Sequence, residues 1–194
     1  MATLITPQNY SVDNLTLGAL ERSPVNVRQY NELVNDVNVG ASFQSFTTQA
    51  ITAVNTQVNA NLGAATYSNG VTLAGDALSF TVAAAGTYSV DSTLQFFKNN
   101  VSNEGTMTAW YTVNGTAFTN RVDGSANSES LAMSNQLTIL NIHSHLVLNA
   151  GDTVRLFFAG NTAGPVGDLQ LRASVAATPY PAIASISIEV DKVR

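Results

Sequence analysis

From Tyr67 to the C-terminus, apolar and polar residues alternate in short runs separated by Gly, Asn and Asp. A period of two puts successive side chains on opposite faces, which is the pattern of a strand buried on one side. It predicts strands over residues 70–73, 77–82, 86–97, 106–113, 117–122, 153–159, 169–176 and 183–190, with the long run 130–148 forming two strands or one bent strand. So many short strands with regular turn signals predict an all-β sandwich.

The first third of the chain follows another pattern. Residues 1–21 show no clear period and are punctuated by Pro7 and Gly18, so an extended arm is expected. Ser23 suits a helix N-cap and Pro24 the first helical position, while Val27, Tyr30, Val34 and Val37 share one helical face before Gly40. Over residues 43–62, Phe43, Phe46, Ala50, Val54 and Val58 trace a helical stripe, but the Thr and Asn content lowers helix propensity. A helix held by packing on copies of itself and an extended linker are both open there. The expected organisation is an attachment or oligomerisation segment, 1–61, followed by a β domain, 62–194.

Two turns stand out. Asn114 and Gly115 separate MTAWYTV from TAFTNRV, and both tolerate the positive φ of a type I′ hairpin turn. In HLVLNAGDTVRLFF, Leu146 and Leu148 alternate before a turn and Val154, Leu156 and Phe158 after it. Gly151 can take positive φ there and Asp152 can bond the local backbone. LAGD at 73–76 resembles NAGD at 149–152, which shared turn chemistry explains without a duplication.

LVLNAGDTVRLFF resembles the penultimate hairpin of the complement globular head and tumour necrosis factor superfamily of jelly rolls. FTVAAAGTYSVDSTLQF, residues 80–96, is similar to an early strand signature of that family, with Phe80, Gly86 and Tyr88 in the expected relation. ASISIEV ends where the family places its closing strand. The chain departs from the family at Ala83, where a proline is usual, and at Val90, where an aromatic is. The resemblance covers about residue 62 onward and implies a mainly β, antiparallel jelly-roll sandwich (C1q/TNF-like) that assembles as a homotrimer.

Composition narrows the function. Charged residues make up 11 % of the chain, with 8 basic and 13 acidic side chains and a formal charge of −5. An average soluble protein carries about 25 %. The surface is therefore built from Ser, Thr, Asn and Gln, and it repels copies of itself weakly. No run of Lys or Arg could neutralise a phosphate backbone, so nucleic-acid binding is not expected. With no cysteine, neither disulfides nor a thiol nucleophile nor a Cys-ligated metal is available. No apolar stretch approaches the roughly 20 residues that span a membrane as a helix, and the start has no export signal, so a cytosolic origin or release by lysis is expected.

Candidate chemistry is thin. His143 and His145 share a strand face and could offer two metal ligands, but spacing supplies no third, so paired surface or trimer-interface histidines are expected and no metal. There is no G-x-S-x-G elbow and no Gly-rich phosphate loop. Asp76, Asp123, Asp152 and Asp168 read as turn residues, which leaves no catalytic carboxylate pair and no cofactor site. Trp110 with Tyr111, and Phe157 with Phe158, could face a sugar, but adjacent strand residues point to opposite faces, so one of each pair is expected in the core and the other at an interface; Trp110 and Tyr111 remain the candidate ligand contacts.

These features together lead to the expectation of a non-enzymatic structural protein of a virus particle, a tailed bacteriophage. It would serve as a trimeric decoration or cement protein, or as the head of a short fibre, assembled in the host cytoplasm and displayed on the virion surface. Its partners would be its own copies and the major capsid protein or other virion proteins. The alternative is the receptor-binding tip of a tail fibre or spike, engaging host surface glycan.

Overall fold

The computed structural model describes residues 39–99, 104–161, 168–174 and 181–193, all within one compact unit. The predicted arm and the helix beginning at Ser23 lie outside the described residues. Among the described residues, thirteen strands form two antiparallel sheets.

In the first sheet, β7 (Gly86–Lys98) is central. One edge of β7 pairs along its whole length with β10 (Gln136–Leu148). Its other edge pairs with β13 (Ile186–Lys192) and the short β12 (Leu169–Leu171). Next come β1 (Gly40–Ser45) beside β13, β2 (Gln49–Ala50) beside β12, and β4 (Ala64–Asn69) beside β1. In the second sheet the order is β5 (Val71–Leu73), β6 (Phe80–Val82), β11 (Thr153–Gly160), β8 (Gly105–Val113) and β9 (Asn127–Leu131), and β3 (Val58–Asn59) also pairs with β11.

The period-two pattern sorts the faces. In β10, Leu140, Ile142, Leu146 and Leu148 point inward, and β7 answers with Tyr88, Val90, Leu94 and Phe96. From the second sheet Phe80, Met107, Tyr111, Val154, Leu156 and Phe158 close the core. Tyr111 Oη makes a hydrogen bond to Ser92 Oγ, which ties the two sheets together through buried side chains.

The segment 43–62 is neither helix nor linker. Phe43 is fully buried, tilted against Phe80 with ring centroids 5.7 Å apart, whereas Phe46 is 56 % exposed. The stripe that joined these two residues on one helical face fails because the pattern GASFQS has a period of two, with β13 as partner. Gln49 then bonds the backbone of Asn61 in both directions, Nε2 to Asn61 O at 2.9 Å and Oε1 from Asn61 N at 2.7 Å. Gly63 follows at φ +80°, where a Cβ would lie 2.0 Å from Gln44 O. The sandwich thus takes in Gly40, and the expected boundary at Leu62 falls inside it.

The run 130–148 holds two strands, the first of the two readings left open: it contains the end of β9 and the whole of β10, which lie in different sheets, with Asn135 at positive φ between them. Three other expectations are corrected. Residues 117–122 form no hairpin strand. A short 3-10 helix spans Phe118–Asn120, and Thr112 makes an isolated bridge to Arg121. Asn114 takes positive φ while Gly115 does not, so the turn is not type I′. Finally, the stretch around Gly151 joins β10 of the first sheet to β11 of the second, so it is a corner between sheets instead of a hairpin.

Candidate functional site

Beginning from the predicted positions, the corner is held by side-chain chemistry. Asp152 Oδ2 accepts the Asn149 amide at 2.7 Å, and Asp152 N donates to Asn149 O at 3.0 Å. Gly151 has φ +87° with open space around its Cα, so conformation alone calls for glycine. The Asn114 side chain donates to Asp152 Oδ1 at 2.7 Å and accepts from Thr153 N at 2.9 Å. The two turns picked out separately in the sequence are one cluster. The Asn114 hydrogen bond, followed by the Asn149 amide, holds the Asp152 carboxyl below the usual carboxylate range. In the LAGD turn Asp76 instead bonds forward, accepting Leu78 N at 3.0 Å. Asp168, expected in a turn, is buried.

Gly86 opens β7, and Tyr88 is buried with its hydroxyl donating to Ala84 O at 2.7 Å. The two candidate ligand aromatics are both covered. Tyr111 is fully buried, and burial pushes its hydroxyl well above the usual tyrosine range, with the Ser92 hydrogen bond opposing that rise. Trp110 lies on the other face of β8, 4 % exposed and stacked on Phe157 at 6.2 Å. A shallow depression of about 360 Å³, lined by Asn55, Gln57, Thr108, Trp110 and Ala159, opens there. Tyr111 thus lies in the core, while Trp110 reaches the surface only as part of the lining of that depression.

The outward face of the first sheet differs in character. Strand β10 forms its edge, and the far side of β10 pairs with no strand among the described residues. Its inward positions are taken by the core, yet the outward ones include Leu137 at 48 %, Ile139 at 44 % and Val147 at 83 % exposure. Between them lie Asn141, His143 and His145, all exposed. Register sets His143 opposite Asp91, His145 opposite Ser89 and Asn141 opposite Thr93. His143 Nδ1 contacts Asp91 Oδ1, and Asn141 Oδ1 accepts from Thr93 Oγ1 at 3.0 Å. The His145 ring stands edge-on to His143 with centroids 4.9 Å apart. One strand further, β13 places Glu189 opposite Asp91 and Asp191 opposite Ser89.

Among the described residues no group of three or more His, Cys, Asp or Glu side chains is placed to hold a metal ion. Among the same residues no helix is long and apolar enough to cross a membrane. A long, regular, partly apolar edge strand is the sort of surface that pairs with or packs on another chain unless it is blunted. Sequence reasoning placed the two histidines on one face but missed Asp91, 52 residues away, and the three aliphatic residues around them.

No protein-family model matches the chain, and no curated protein matches it in sequence. In structure it is similar to the Eiger TNF from S. frugiperda, with a TM-score of 0.53 and 16 % identity over 80 % of this chain and 92 % of that one. It also aligns with the globular domain of zebrafish complement 1qA protein, with a TM-score of 0.46 and 11 % identity over 81 % of this chain and 98 % of the other. The fold is a TNF-like jelly roll, as the strand signatures around Gly86 and Gly151 implied.

Proposed function

We propose that this chain is a non-enzymatic structural protein that assembles with its own copies, as a trimer, through the outward face of the β10–β7 sheet. The observation that carries the reading is β10 itself: thirteen residues long, unpaired on its far side among the described residues, and presenting Leu137, Ile139 and Val147 to solvent. Burying such groups against a second copy gains roughly 25 cal/mol for each Å² of apolar surface removed from water. Cyclic closure then limits growth. The low charge of the chain supports close packing of like copies.

In this reading the trimer is a surface component of a virus particle, that of a tailed bacteriophage, as a decoration or cement protein or the head of a short fibre. Residues before Gly40 engage the major capsid protein, since the strands that follow are committed to the sandwich. Support comes from the neutral polar surface, the absence of cysteine and the jelly-roll fold. The test combines two experiments. Ile139→Lys with Val147→Lys is expected to yield a folded monomer in sedimentation velocity, and an unchanged assembly would overturn the choice of surface. The full chain is expected to co-sediment with capsids assembled from the capsid protein of the same genome, and deletion of residues 1–38 to abolish this. Retained attachment after deletion would refute the role given to that segment.

A further inference from the structure

The outward row of β10 reads Leu137, Ile139, Asn141, His143, His145 and Val147, all exposed and none of them a carboxylate, lysine or arginine. The neighbouring strands differ, for Asp91 on β7 and Glu189 and Asp191 on β13 are exposed carboxylates. Bringing three copies together along β7 or β13 would set like charges against one another, which destabilises, and along β10 it sets none. A three-fold axis through this face therefore runs along β10. Each residue of a strand on such an axis meets its own counterparts, so the row stacks in layers of three.

Resting on the trimer proposed above, we infer that His143 and His145 of three copies form a six-imidazole site for one divalent first-row transition-metal ion, the class that imidazole nitrogen suits. Among the described residues one copy gathers no three metal-ligating side chains, so the site is incomplete without its neighbours. The two rings are already placed for one ion. With metal–nitrogen bonds of about 2.1 Å, two imidazoles at right angles on one ion have centroids about 4.5 Å apart, and at the tetrahedral angle about 5.2 Å. The observed separation is 4.9 Å. Asp91 supplies the outer contact that metal-binding histidines usually have. Its Oδ1 accepts from His143 Nδ1, which fixes the ring and leaves Nε2 for the ion. Val147 on one side, and Ile139 beyond Asn141 on the other, cap the histidine layers with apolar groups.

The chain's two histidines are both in this pair and it has no cysteine, so tightly bound nickel reports on these side chains. The untagged full-length protein, stripped with a chelator, is titrated with Ni2+, and its mass and metal content are read by sedimentation equilibrium and elemental analysis. A trimer before and after loading, holding one Ni2+ per three chains, is the expected result. His143→Gln with His145→Gln is expected to keep the trimer and hold no nickel. Asp91→Ala is expected to keep both trimer and stoichiometry while weakening nickel binding about tenfold to a hundredfold, a loss that an unrelated surface role of Asp91 would not produce. A trimer that binds no nickel, holds one ion per chain, or still binds it in the double variant overturns the site and leaves self-association standing. A chain that is monomeric with and without nickel overturns both.

Discussion

Phe43→Ala and Phe46→Ala separate the strand from the helix that the same residues could have formed. Phe43 is fully buried between β13 and the Phe80 ring, whereas Phe46 is more than half exposed just past the end of β1. Truncating a fully buried phenylalanine costs about 3–5 kcal/mol, from lost transfer energy and the cavity left behind. In a domain of this size each kcal/mol moves Tm by about 2–4 °C, so Phe43→Ala is expected to lower it by about 6–20 °C. Phe46→Ala is expected to stay within about 0.5 kcal/mol, or ~2 °C. Thermal unfolding followed by circular dichroism at one fixed protein concentration supplies the comparison, because assembly makes Tm depend on concentration. On a helical stripe the two substitutions would cost similar amounts. Equal losses, or a larger loss at Phe46, would refute the inclusion of β1 in the core.

Three further outcomes follow from buried or strained positions. Tyr111→Phe leaves the buried Ser92 hydroxyl without its partner and is expected to cost about 1–3 kcal/mol by urea unfolding, with Ser92→Ala in addition recovering part of that loss. Because burial raises the Tyr111 pKa in the folded state, the unfolded chain loses that proton first. The contribution is complete below about pH 10 and falls above it by up to about 1.4 kcal/mol per pH unit. This alkaline component should vanish in Tyr111→Phe. Gly63→Ala drives a Cβ into Gln44 O and should prevent cooperative folding, while Gly151→Ala meets open space and is expected to cost only about 1–2 kcal/mol of backbone strain, both read by thermal denaturation. Asn114→Ala removes the first cause of the lowered Asp152 pKa, so the carboxyl should titrate at higher pH by NMR, and the corner is loosened by acid in a narrower range than in the parent chain.

The sheet strands were legible because their residues carry the period themselves: LTILNIHSHLVL and TVRLFF announce which positions face a core. What the period leaves open is the partner. Asn114 clips Asp152 across 38 residues, and His143 meets Asp91 across 52, through register that only the folded sheets define. GASFQS was misread because three-residue spacing of Phe43 and Phe46 matches a helix as well as a strand followed by a bend. For Trp110, alternation assigns the outer face of β8, and only the fold shows that Phe157 from the neighbouring strand covers it there. The same blindness hid Leu137, Ile139 and Val147, whose apolar character suggests burial although the face they occupy is open.

Assembly is the claim on which the functional reading rests, and light scattering coupled to size exclusion reads it directly. The full-length chain has a monomer mass of 20.4 kDa. The account predicts a single species near three times that mass, stable on tenfold dilution. A species at the monomer mass across the whole concentration range would contradict it.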